Sequence, residues 1–160
     1  MNFIKLKFKN IFIYLIFFLI LLVGINIYKD YGLTLDDEIY RLNGQIYYEY
    51  IKILLVEKNL YSLNNLESLS LKFSGTKDII YHPVLFELIL AIFADILNAR
   101  NTKEIFELSH VLNFSIFFVG MIVFYKIILN KFNSEIYSIF AVLVIFFSPR
   151  IFAEAFYNSR

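Results

Sequence analysis

The stretch IFIYLIFFLILLVGINI, residues 11–27, decides the fold class. Only Gly24 and Asn26 interrupt its run of large apolar side chains. That length falls in the range of about 17–25 residues with which a helix crosses a hydrocarbon layer about 30 Å thick. Upstream, residues 1–9 carry Lys5, Lys7 and Lys9 and no acid. A secretory leader would share a basic start and an apolar run. However, Tyr28-Lys29-Asp30-Tyr31 offers none of the small residues that a cleavage site needs. The segment therefore reads as an uncleaved first transmembrane helix. Three lysines before it put the N-terminus in the cytoplasm, because positive charge is retained on that side. The chain beyond residue 27 is then expected to emerge outside.

The rest of the composition agrees. The chain has 160 residues, 59% of them hydrophobic, whereas soluble domains have about 45–50%. Its net charge is +1, and no basic stripe marks a nucleic-acid partner. There is no cysteine, which excludes disulfides and thiolate-held metals. Further apolar segments occupy 84–97, 108–129 and 135–148. The first of these is short and holds Glu87 and Asp95. Runs of about 10–14 residues are more often interfacial than spanning. The two acids are eight apart and share a helical face, which is expected to turn to water from a helix lying in the membrane surface.

The expected fold is an all-α integral membrane protein with three transmembrane helices, or four if 84–97 also crosses. The tail is 1–10, the first span 11–27 and the external loop 28–107. The second span is 108–129, a cytoplasmic loop covers 130–134, and the third span is 135–148. Residues 149–160 open a second external loop. Within the first loop, Ile39, Leu42, Ile46, Tyr50 and Ile53 recur at helical spacing, so a surface helix is expected over about 36–58. Arg41, Gln45, Glu49 and Lys52 fall on its opposite face. Thr34-Leu35-Asp36-Asp37 reads as a capping box at its start. Residues 61–78 read as a loop. Pro83 suits the first position of a second surface helix over 84–97.

The chemistry concentrates in few places. Asp36, Asp37 and Glu38 are three adjacent carboxylates just beyond the first span. Acids in a first turn interact well with the helix dipole, by about 0.3–1 kcal/mol each. That role needs one or two acids; three repel one another unless a cation or donor compensates. Such a cluster could supply a base or hold a divalent cation. His82 precedes a proline, where a structural hydrogen-bonding role is the ordinary reading. His110 near the next span reads as packing. Arg150 and Glu154 lie beyond the third span; the forked donors of arginine suit a phosphate, or equally a lipid headgroup. No catalytic Ser-His-Asp order, metal-ligand His pair or glycine-rich phosphate loop is present.

Three stretches, taken in order, carry a family resemblance: Leu35-Asp36-Asp37-Glu38-Ile39-Tyr40, Tyr81-His82-Pro83-Val84-Leu85 and Phe147-Ser148-Pro149-Arg150-Ile151-Phe152-Ala153. The layout resembles the N-terminal module of the GT-C superfamily of integral membrane glycosyltransferases, of the protein-mannosyltransferase and aminoarabinose-transferase type. The resemblance implies a sugar moved from a polyprenyl-phosphate-linked donor to an acceptor on the outer face of a bacterial inner membrane. Asp37 would be the base, Glu38 its motif neighbour and Asp36 the fallback, since the doubled Asp leaves the register open by one. His82 would line the cavity and Arg150 would meet the donor phosphate. A divalent cation could align the acceptor. The family carries a second acid on its second external loop, and Glu154 is the only acid after Pro149 here. The resemblance therefore implies the front end of a longer enzyme, inactive without its C-terminal portion or a partner chain. The competing expectation is a non-catalytic small membrane subunit that packs against a larger membrane partner. A transporter part is a weaker alternative, because these spans lack the Gly/Pro breaks usual there.

Overall fold

A computed structural model of the chain describes residues 2–32, 37–57, 68, 71–72 and 84–157, with backbone alone at 2–10, 37, 54, 56 and 57. The described residues are helical, without strands. Helix α1 is Asn2–Ile27, extended by a 3-10 turn at Tyr28–Asp30. Helix α2 is Asp37–Glu57 and α3 is Leu85–Ile96. Helix α4 is Thr102–Phe132, α5 is Glu135–Phe146 and α6 is Pro149–Tyr157. The chain divides into one compact unit of residues 1–32 and 110–158 and another of 33–109 and 159–160.

In the first unit, α1 and α4 are long and apolar enough to cross a membrane. At 1.5 Å per residue, the 26 residues of α1 extend about 39 Å and the 31 of α4 about 46 Å. Their surfaces suit lipid. Phe12, Tyr14 and Phe18 on α1, and Ile116, Val119 and Ile127 on α4, all stand exposed. In water such continuous apolar surface would drive association. The lysine-bearing residues 2–10 are helical and continuous with the apolar run, as nothing in them breaks a helix.

Helix α4 starts six residues before the expected 108. A reciprocal cap explains it: Asn101 Oδ1 accepts the Lys103 amide at 3.2 Å, and Glu104 Oε2 accepts the Asn101 amide at 3.4 Å. Helices α3 and α4 both end on an asparagine in the left-handed region, Asn98 (φ 54°) and Asn133 (φ 47°). Asparagine tolerates that conformation and stops a helix there.

The segment expected as the third span, 135–148, holds helix α5, Glu135–Phe146. Helix α5 has 12 residues, about 18 Å, against a hydrocarbon layer of about 30 Å. The chain then bends by 69° into α6. Pro149 is the reason: without an N–H it cannot continue the α5 ladder, but it fits the first position of a new helix. Among the described residues, two helices are candidate spans by length and composition, or three if the bent α5–α6 pair is one span.

The core of this unit joins Ile20, Phe114, Met121, Tyr125, Val142, Ala155 and Phe156. Gly24 sits directly against the Phe114 ring, so α1 and α4 approach closely there. Phe156 is fully buried between Tyr31 (ring centroids 4.2 Å apart) and Phe114 (5.1 Å), stacked on both. Its carbonyl lies in the last turn of α6. His110 Nδ1–H donates to it at 3.0 Å and Asn113 Nδ2 at 3.1 Å. His110 is therefore a buried packing and clamping residue.

Candidate functional site

In the second unit, α2 and α3 pack face to face. Their closest approach is at Gly44, where a Cβ would overlap the backbone carbonyl of Glu87. Asn43 and Ile46, on either side of Gly44 in sequence, are fully buried. A hydrogen bond and ion pairs hold the pair's other end. Tyr48 donates its hydroxyl to Asp95 at 2.8 Å. Lys52 Nζ stands 3.8 Å from the same Asp95 oxygen, donates to Glu49 at 3.2 Å, and lies 4.1 Å above the Tyr48 ring. Arg100 reaches the other Asp95 oxygen at 4.0 Å.

These contacts set the protonation preferences. The Tyr48 hydroxyl, and then the Lys52 charge, hold the Asp95 carboxyl below the ordinary carboxylate range. The same hydrogen bond to a carboxylate pushes the Tyr48 phenol up. Burial works against the Lys52 charge, but its hydrogen bond to Glu49 and the attraction of Glu49 and Asp95 outweigh it, so its ammonium is raised.

The polar face of α2 is expected from the sequence to meet water. It does so at Glu49 and Lys52, whose side chains are 41% and 42% exposed, and it also lines a cavity of about 230 Å³, with Arg41, Gln45, Tyr48, Glu49 and Lys52 on the α2 wall. Glu87, Leu90, Ala91, Ala94 and Asp95 form the α3 wall. The expectation that Glu87 and Asp95 turn outward is corrected for Glu87, which packs against α2 and is 6% exposed, whereas the Asp95 side chain keeps 39% of its surface exposed. The alanines explain this, since small side chains at 91 and 94 let α2 come close while leaving space beside them.

The residues singled out from the sequence fare differently. Asp36 and His82 lie outside the described residues. Asp37 opens α2 and is described by its backbone alone. Glu38 is exposed (73% of its side chain) and stands 4.0 Å from Arg41, one turn along. Arg150 and Glu154 are exposed on α6, one turn apart, in the other unit. Among the described residues no three His, Asp or Glu side chains converge to hold a metal ion. The Tyr48–Lys52–Asp95–Arg100 cluster is not among the sites expected from the sequence. The four-residue spacing of Tyr48 and Lys52 hints at a shared face, but nothing in the sequence pairs that face with residue 95.

The chain matches no known protein family, no curated protein and no solved structure.

Proposed function

We propose that the chain belongs to a membrane glycosyltransferase of the GT-C type, moving a sugar from a polyprenyl-phosphate-linked donor to an acceptor hydroxyl on the outer membrane face. One observation carries this reading. Helix α3, just downstream of Tyr81-His82-Pro83, has only 12 residues and packs on α2, the helix that begins at the Asp36-Asp37-Glu38 motif. A motif-bearing helix and a short non-spanning helix thus form one body in the segment joining candidate spans α1 and α4. That is the arrangement the resemblance implies for a first external loop with surface helices.

In this reading Asp37 accepts the proton of the acceptor hydroxyl as its oxygen attacks the anomeric carbon. The bond from that carbon to the phosphate oxygen breaks, and the lipid phosphate leaves with the electron pair. Glu38 and Asp36 complete the acidic motif, with a divalent cation to align the acceptor if one is used. Arg150 offers forked donors to the phosphate, and His82 and Glu154 line the substrate path. The resemblance implies activity only with a C-terminal portion or a partner chain, so the test is transfer from a radiolabelled polyprenyl-phosphate sugar by vesicles holding the chain together with that portion or partner, compared with Asp37→Asn. Removal of a general base lowers rates by about 10²–10⁴-fold; an unchanged rate takes Asp37 out of the mechanism.

A second reading, a non-catalytic membrane subunit, is favoured by one observation. Glu38 projects outward and meets Arg41 at 4.0 Å, one turn along the same helix. That geometry also suits helix-start electrostatics. Under it, Asp36, Asp37 and Glu38 tolerate neutral replacement together.

A further inference from the structure

Three contacts in the first unit fix the relative direction of α1 and α4. Phe17 meets Tyr125 edge-on with ring centroids 5.7 Å apart, Gly24 lies against the Phe114 ring, and Tyr31, just beyond α1, is 6.5 Å from His110. As the residue number rises on α1 it falls on α4, so the helices are antiparallel. Residues before Phe17 and residues after Tyr125 therefore share one end of the unit. On α1 that end carries Lys5, Lys7 and Lys9, and on α4 it carries Lys126 and Lys131. At 1.5 Å per residue, Lys9 stands about 12 Å beyond Phe17 and Lys131 about 9 Å beyond Tyr125.

The charge at this end is unbalanced. Residues 1–29 hold no acid, and Glu135 is the single acid in 108–153. Glu135 also keeps one carboxylate oxygen buried, with its charge felt at Tyr125. The other end of the unit differs: there Lys29 and Arg150 are matched by Asp30 and Glu154.

Depth is set by the aromatic residues. Tyr14, Phe132 and Tyr137 are exposed at the lysine-bearing end, with Phe132 and Tyr137 edge to face at 6.4 Å. Lys131 Nζ lies 5.6 Å from the Phe132 ring. Exposed Tyr side chains gather where hydrocarbon gives way to headgroups. Lys126 is exposed one residue beyond Tyr125, and a lysine stem lets the ammonium reach headgroup depth from such a position. Ammonium groups are hydrated point charges without the forked geometry of arginine. Several of them at one depth suit many interchangeable phosphates better than one oriented ligand, and a bilayer presents such phosphates at that depth.

We propose that this end of α1 and α4 gathers anionic phospholipid headgroups, with Lys126 and Lys131 of α4 and Lys5, Lys7 and Lys9 of α1 attracting their negative charge. The proposal depends on neither the transfer reading nor the subunit reading.

The test reconstitutes the chain in phosphatidylcholine bilayers. Spin-label electron resonance then compares the association of labelled phosphatidylglycerol with that of labelled phosphatidylcholine. One lysine near an anionic surface is worth about fivefold, so a preference for phosphatidylglycerol of about that size is expected at low salt. It should shrink as salt screens the exposed charges. Changing all five lysines to glutamine should abolish the preference. Lys126→Gln with Lys131→Gln should lower it by about half. Lys29→Gln, at the other end, should leave it unchanged. Unaltered circular dichroism of each variant separates folding from lipid binding. If the five-lysine variant does not insert, the pair at 126 and 131, both exposed, carries the test. Equal association of the two lipids with the native chain would overturn the proposal. So would an unchanged preference in the lysine variants, or an equal loss in Lys29→Gln. Displacement of the labelled phosphatidylglycerol by inorganic phosphate at equal concentration would overturn it in favour of a free-anion site.

Discussion

The backbone carbonyl of Glu87 occupies the space that a Cβ at position 44 would need, so α2 and α3 meet through Gly44. Backbone cannot swing aside as a side-chain tip can. Gly44→Ala is therefore expected to force the two helices apart, at about 1–3 kcal/mol for overpacking. Hydrogen exchange should show faster opening of 38–53 and 85–96 in the variant. Identical protection would mean that the contact is not a close one.

The Tyr48–Asp95 hydrogen bond predicts a pH dependence for the same pair. The folded Asp95 carboxyl is lowered, so its stabilising effect is present above the unfolded value of about 3.9 and fades as pH falls through the folded value. Lys52 is raised, so its contribution is present below about 10.4 and is lost as pH rises through its folded value. Tyr48→Phe should move the Asp95 titration upward, towards the ordinary range, in carbon-13 NMR of the carboxyl. No movement would detach Tyr48 from the shift.

Phe156 ties α6 to the first unit by stacking between Tyr31 and Phe114. Phe156→Ala should cost about 3–5 kcal/mol, the usual range for emptying a buried aromatic site. His110→Ala should cost less, because Asn113 still donates to the Phe156 carbonyl. Thermal unfolding in detergent measures both. An equal effect of the two changes would place the clamp, not the stacking, in charge.

The absence of cysteine makes topology directly measurable, since an introduced thiol is the only one in the chain. If α1 crosses with its basic start in the cytoplasm and α4 returns the chain, Glu38→Cys reacts with an impermeant maleimide added outside intact cells. Lys131→Cys reacts only after the membrane is opened. Labelling of both from outside would remove one of the crossings.

Much of this architecture is legible in the sequence because it rests on local signals. Residues 11–27 announce a span by length and apolarity, and the 3–4 spacing from Ile39 to Ile53 announces a helix. The 69° bend between α5 and α6 emerges only in three dimensions. The α2–α3 cavity is hidden for a different reason. Polar residues at 41, 45, 49 and 52 read as a water-facing side, and only a long-range contact at Gly44 turns that side onto α3. Phe156 and its two donors are likewise invisible: residues 149–160 read as loop, and a carbonyl that needs partners leaves no trace in a sequence.

Sugar transfer is the most direct test of the proposed function. Vesicles carrying the chain together with the C-terminal portion or partner chain that the resemblance implies would receive a radiolabelled polyprenyl-phosphate sugar and an acceptor glycoside, with the Asp37→Asn form inserted at equal level beside them. The glycosyltransferase reading predicts labelled acceptor with the native chain and a loss of about 10²–10⁴-fold in the variant. Equal transfer by both chains would remove Asp37 from the mechanism. Absence of both transfer and donor binding with the native chain would contradict the reading and favour the non-catalytic subunit.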